Sequence, residues 1–182
     1  MEREQFEQLT MPLFDQLYNF AHWLSQNRAD AEDLVQETYA KALKGWKSFE
    51  EGTNLRAWMY RILRNTFLTS KSGLKALATM QLDEEEVGAT GVLTHGSTPE
   101  LLLLQQESHD AMLEALAGLP VIYREVVLLC EAEEMSYREI AQVVAIPVGT
   151  VMSRLARGRR MLREALTARV SSGATEARHD AV

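Results

Sequence analysis

The segment from Ser136 to Arg160 reads SYREIAQVVAIPVGTVMSRLARGRR, and its reading decides the fold. Ser136 and Glu139 stand three residues apart at the head of an apolar-periodic run. At that spacing the Ser hydroxyl and the Glu carboxylate each satisfy a backbone N–H of the other residue. A short helix is therefore expected, ending near Val144. Ala145-Ile146-Pro147 forms the turn, and a longer basic helix follows to about Ala168. Ile140, Ala141 and Val144 are placed to pack against Val151, Leu155 and Leu162 of that second helix. Thr150, Ser153, Arg154 and Arg157 then lie together on its outward face, near its N-terminus. A capped helix, a tight turn and a longer basic helix make a helix–turn–helix pattern, here over residues 136–157. Arg bonds a guanine edge at two points, and Thr and Ser contact phosphate or base edges. Arg159, Arg160 and Arg163 add attraction to a phosphate backbone. The competing reading is a solvated amphipathic helix in a small bundle, since arginine-rich helix ends are common. Cap, turn, apolar register and charged face agree with one another, and that agreement favours DNA.

The charge along the chain is uneven in the same sense. The net charge of −7 by itself argues against a nucleic-acid partner. Yet no Lys or Arg lies between Lys75 and Arg124, where Asp83, Glu84, Glu85, Glu86, Glu100, Glu107, Asp110 and Glu114 fall. From Arg138 to Arg169, seven arginines meet only Glu139 and Glu164. An acidic middle and a basic end are thus joined in one chain. The lone Cys130 excludes an intrachain disulfide, and His22, His95, His109 and His179 lack the spacing of a zinc motif, so no metal and no cofactor is expected. No apolar run approaches the length of a membrane span, and the polar, acidic start does not resemble a secretion signal, which points to a cytoplasmic protein.

Helical patterning also dominates the first seventy residues. One helix is expected over about Glu4 to Gln26, and a second from near Asp30. On the second, Val35, Tyr39, Ala42, Leu43 and Trp46 share a face opposite Asp33, Gln36, Glu37, Ala40 and Lys44. After a loop holding Gly52, Asn54 is placed to cap a third helix running through Leu68. The stretch from Ser70 to Pro99, with four glycines and no sustained period, reads as a flexible linker, with a short helix around Leu74 to Met80. Helices resume at Pro99, break at Gly118-Leu119-Pro120, and resume to about Glu131. The expected fold is all-α: two small helical domains, residues 1–72 and 99–170, joined by a flexible acidic linker over 73–98 and followed by a disordered tail over 171–182.

Ser136-Tyr137-Arg138-Glu139-Ile140-Ala141, with Ile146-Pro147-Val148-Gly149-Thr150-Val151-Met152-Ser153-Arg154-Leu155-Ala156-Arg157-Gly158-Arg159, resembles the C-terminal promoter-binding domain of extracytoplasmic-function sigma factors of the sigma-70 family. The resemblance implies that Thr150, Ser153, Arg154, Arg157 and Arg160 bind the −35 promoter element. The family usually has Gly where Ala145 stands; a left-handed Ala there costs about 1–2 kcal/mol. Asp30-Ala31-Glu32-Asp33-Leu34-Val35-Gln36-Glu37-Thr38 resembles the family's polymerase-binding helix, which implies that Asp30, Asp33, Gln36 and Glu37 contact core RNA polymerase. A plain solvated acidic face is the alternative. Phe49 to Asn65 resembles the segment that captures the −10 element, implying roles for Asn54, Arg56, Trp58, Arg61 and Asn65, with Tyr60 and Arg64 nearby. Holding an unstacked base needs a polar pocket, rings and cations, although Trp58 also suits core packing.

The resemblance further implies a linker that enters the polymerase cleft, and silencing by an anti-sigma factor. The wording of Gly52-Thr53-Asn54-Leu55 and of Gly149 to Arg154 is similar to the subgroup that answers thiol oxidation through a zinc-binding anti-sigma factor. Cys130, within Val126-Val127-Leu128-Leu129, reads as core rather than sensor. The implied function is a subunit that binds core polymerase and promoter DNA and directs initiation, with no catalytic residue of its own. An autonomous helix–turn–helix regulator that binds DNA without polymerase is the alternative. No nucleophile–base pairing or phosphate-binding loop supports an enzyme.

Overall fold

Pro12 divides what the apolar periodicity presents as one helix. A proline inside a helix lacks the N–H and crowds the preceding carbonyl. In the computed structural model, which describes residues 3–50, 52–80 and 109–176, the path is α1 (Arg3–Thr10), a 3-10 turn over Met11–Leu13 and α2 (Phe14–Ser25). Gln26, left-handed at φ 55°, ends α2. Asn27 starts α3 (Arg28–Gly45), its side chain accepting from the Asp30 N–H at 3.1 Å. The helix thus begins two residues before the expected Asp30, at a cap the sequence reading overlooked. Asn54 caps α4 (Leu55–Thr69) by accepting from the Ala57 N–H at 3.0 Å. Ser70 then turns the chain into α5 (Lys71–Met80), its hydroxyl accepting from the Gly73 N–H. A Cβ at Gly73 would stand 1.9 Å from the Phe67 carbonyl oxygen, so only glycine allows α4 and α5 to meet this closely.

The second body contains α6 (His109–Ala117), α7 (Val121–Glu131), α8 (Tyr137–Val144) and α9 (Val148–Glu176). α9 continues beyond the expected end near Ala168, to Glu176. The acidic run Asp83 to Glu86, Pro99 and the leucines at 101–104 lie outside the described residues. Among the described residues all regular structure is helical, and no single helix is long and apolar enough to cross a membrane.

Phe6, Leu17, Phe20, Leu24, Leu34, Met59, Tyr60, Leu63 and Phe67 are buried in the first body. Val126, Leu129, Ile140, Val143, Val144, Val151 and Leu155 are buried in the second. Val143 is therefore a core residue of the helix–turn–helix, while Ala141 and Leu162, assigned that role from spacing, are only half-buried. α9 crosses α7 at Gly158, where an added Cβ would stand 2.8 Å from Val127 Cγ2. The two bodies also pack together, α4 against α8 and α2 and α5 against α7.

Ala145 adopts the left-handed conformation, φ 57° and ψ 45°, with its N–H bonded to the Ala141 carbonyl. Relief of about 1–2 kcal/mol of strain, offset by about 0.4–1 kcal/mol of added unfolded-chain entropy, leaves Ala145→Gly stabilising by roughly 0.5–1 kcal/mol. A urea unfolding curve displaced to higher midpoint at constant slope is the expected result.

Candidate nucleic-acid interface

The helix–turn–helix is built as its residues dictate. Ser136 N–H donates to Glu139 Oε2 at 2.8 Å, and Ser136 Oγ accepts from the Glu139 N–H at 3.3 Å, closing the capping box. The hydrogen bonds from Ser136 hold the Glu139 carboxyl below its ordinary 4.5. The Thr150 and Val151 N–H groups return to the Pro147 carbonyl, starting α9 within the turn.

On α9 the proposed readers separate. Ser153 is exposed, its hydroxyl donating to the Thr150 carbonyl, and Thr150 is half-buried. Arg160 is exposed, 3.8 Å from Glu164. Arg154 turns inward, with Nη1 3.8 Å from Glu125 Oε1 on α7. The Arg157 guanidinium lies over the Tyr123 ring, 5.6 Å from its centroid. The shared outward face expected from the helical wheel is thus divided between solvent and α7, because the basic helix packs across a helix that carries both a carboxylate and an aromatic ring. Arg159, similarly, reaches Glu131 at 2.8 Å and Cys130 Sγ at 3.5 Å. Burial pushes the Cys130 thiol up, away from the thiolate.

On α4 the residues divide in the same way. Arg61 and Asn65 are exposed. Trp58 is half-buried between Phe6, edge-on at 6.0 Å, and Phe49 at 5.4 Å, so its ring is packed against the body rather than free to stack on a base. Tyr60, offered by the sequence as a stacking ring, is fully buried; its hydroxyl donates to Glu133, and burial drives its pKa far upward. Arg56 reaches Glu133 Oε2 at 2.8 Å and the Glu133 carbonyl at 2.7 Å. Asn54 Nδ2 donates to Glu139 Oε1 at 2.6 Å. Arg64 grips Glu125 through two bonds, 2.9 and 3.2 Å.

α3 presents Asp33, Gln36, Glu37, Ala40 and Lys44 to solvent; of the face expected opposite them Val35 and Ala42 are buried and Tyr39, Leu43 and Trp46 half-buried, and Ala31, Leu34 and Thr38 complete the buried stripe. Asp30 is half-buried and accepts from the Ser72 hydroxyl, and Glu37 pairs with Lys41 at 2.7 Å. Tyr39 donates to the Thr10 carbonyl at 2.7 Å, and burial pushes its pKa up to about 12.

Sequence reasoning missed Arg124, Glu125 and Glu133, which are buried. The Arg124-Glu125 pair set between Val121-Ile122 and Val126 to Leu129 was the available signal, because charges in an apolar run must find partners. Among the described residues no group of His, Cys, Asp or Glu is arranged to hold a metal.

Because the Glu139 pKa is depressed, its stabilisation is complete above about pH 4.5 and is lost as pH falls through the folded value. The stability difference between the protein and Glu139→Gln, followed by circular dichroism, should hold near neutrality and shrink below pH 4.5.

The sequence has relatives with the same arrangement. Residues 11–75 match the family model described as Sigma-70 region 2, and residues 109–162 match Sigma-70, region 4. The chain is 33% identical over 181 residues to the ECF RNA polymerase sigma factor SigE of Mycolicibacterium smegmatis, covering 94% of this chain and 68% of that one. It is 32% identical over 158 residues to ECF RNA polymerase sigma factor SigW of Bacillus subtilis, covering 84% and 83%. The solved structure of the sigma factor RpoE in complex with the anti-sigma factor NepR from Bartonella quintana superposes with a TM-score of 0.68 at 34% identity, covering 90% of this chain and 98% of that one. Two helical bodies, a capped helix–turn–helix in the second and matching relatives along nearly the whole chain place the protein in one family: it belongs to the ECF RNA polymerase sigma factors.

Proposed function

We propose that this chain binds core RNA polymerase and directs it to promoter DNA, contributing recognition and no catalysis, in the cytoplasm. The observation that carries the reading is the succession of two family-matched bodies in one chain, the second holding a capped helix–turn–helix. One such domain reads few base pairs; two domains held on a common partner raise the effective concentration of each and impose a spacing between their sites.

In this reading, residues 1–72 form the polymerase- and −10-binding domain, 73–98 the linker, 99–170 the −35-binding domain and 171–182 a tail. Asp30, Asp33, Gln36 and Glu37 meet the polymerase. Asn54, Arg56, Trp58, Arg61 and Asn65 serve the −10 element. Thr150, Ser153, Arg154, Arg157 and Arg160 serve the −35 element. An anti-sigma factor is the expected inhibitor, as for the relative crystallised with NepR. A zinc-binding, thiol-sensing inhibitor would carry the redox chemistry itself, since Cys130 is half-buried and its thiol is held protonated.

Purified core polymerase should initiate at specific sites on genomic DNA only when this chain is added. Arg61→Ala with Asn65→Ala removes two exposed side chains. At about 1–3 kcal/mol per lost base contact, that double variant should reduce transcription tenfold or more with an unchanged unfolding midpoint. Tight promoter binding by the chain alone, with no effect of core enzyme, would establish an autonomous regulator instead.

A further inference from the structure

Two arginines of α9 reach α7 by different chemistry. Arg154 Nη1 lies 3.8 Å from Glu125 Oε1, so a DNA contact made by Arg154 competes with a buried carboxylate. The Arg157 guanidinium lies over the Tyr123 ring, its carbon 5.6 Å from the centroid. A cation over an aromatic face is attracted by the ring quadrupole, and that attraction takes up no N–H donor. The guanidinium fork projects its donors in its own plane. Tyr123 therefore steadies the cation without engaging the atoms that would bond O6 and N7 of a guanine.

The helix crossing brings the ring to that place. Gly158 follows Arg157 directly and puts no side chain between α9 and α7. A Cβ there would stand 2.8 Å from Val127 Cγ2, 3.3 Å from Tyr123 Cβ and 3.4 Å from the Tyr123 carbonyl oxygen. Tyr123 and Val127 are four residues apart, on one side of α7, so the face that receives the glycine also carries the ring. Tyr123 and Arg157 are both half-buried, and each keeps part of its surface in solvent. The pair thus stands at the edge of the second body, within it and independent of the first. An arginine side chain loses rotamer freedom when it binds, and a contact made beforehand reduces that loss.

We propose that Tyr123 is a positioning residue for promoter reading: its ring holds the Arg157 guanidinium in advance, so that this arginine enters the groove already oriented toward a guanine edge. The inference rests on the assignment of α9 to the −35 element. It adds a residue of α7, one helix away from the DNA, that sets how well a base is discriminated.

The test uses core polymerase with the full chain, on the strongest promoter the two select from genomic DNA. Each guanine of its −35 element is replaced in turn by 7-deazaguanine, which lacks the N7 acceptor. The readout is the ratio of transcription from the unmodified template to that from the modified one. With the unaltered chain, one guanine should give a ratio of about fivefold or more, and Arg157→Ala should bring that ratio to one. Tyr123→Leu should lower the same ratio to roughly half or less, whereas Tyr123→Phe, which keeps the ring, should leave it unchanged. A merely structural role would lower transcription from both templates and leave the ratio where it was. Should Tyr123→Leu fold poorly, Tyr123→Met supplies a longer side chain without a ring and is read in the same way. No sensitive guanine, a ratio indifferent to Arg157→Ala, or equal ratios for Tyr123→Leu and Tyr123→Phe overturns the proposal and leaves core-dependent initiation standing. If the unaltered chain never initiates with core polymerase, the sigma-factor reading itself fails, and the proposal with it.

Discussion

The arrangement of both bodies depends on two adjacent charges buried in α7. Arg124 and Glu125 lie side by side in sequence and so leave the helix about 100° apart, each reaching a different set of partners. Arg124 donates to the carbonyls of Leu116 and Ala117 in the last turn of α6 and of Leu119 just beyond it, and to that of Leu24 near the end of α2. These carbonyls lie at or just beyond helix C-termini, where unpaired oxygens carry partial negative charge that a guanidinium neutralises. Glu125 takes Arg64 and faces Arg154. A buried charge without partners would be prohibitive; satisfied in this way, the pair positions the ends of two helices and both proposed DNA-reading helices from one turn of α7.

Burial of Arg124 lowers its pKa and burial of Glu125 raises that of its carboxyl, against the opposing pull of Arg64 and Arg154. Both shifts record the same tension between dehydration and pairing. A hydrogen bond to a charged group contributes about 1.5–3 kcal/mol net, and each of these groups can recover comparable bonds from water when exposed. The contact between the bodies is therefore held by groups whose pairing and hydration oppose each other, unlike an apolar seam.

What the sequence disclosed follows the range over which each signal acts. The capping box at Ser136 and Glu139, the cap at Asn54 and the exposed polar face of α3 are local patterns, and each is present in the structure. The strain at Ala145 was foreseeable because one residue and its handedness decide it. Pro12 was a local signal too, passed over in favour of a longer apolar period. The fates of Arg56, Tyr60 and Arg64 were not legible, since their partners lie on the other body, 61 to 77 positions away, nor was that of Arg154, whose partner Glu125 lies on another helix of its own body. A helical wheel identifies a polar face but not whether that face meets water, nucleic acid or another part of the same chain.

The division of surfaces also bears on the order of events. Asp33, Gln36 and Glu37 face solvent on the side of α3 away from its buried stripe, while α4 is engaged with the second body. On the proposed assignment, core polymerase meets the α3 face without first parting the two bodies. DNA cannot meet the Arg56–Arg64 stripe in the same arrangement, because carboxylates already occupy it. On the proposed assignment, binding to the large partner can therefore precede exposure to the small one. The Arg56, Tyr60 and Arg64 side chains meet Glu133 and Glu125 rather than solvent, so any other partner of that stripe has to displace those carboxylates first.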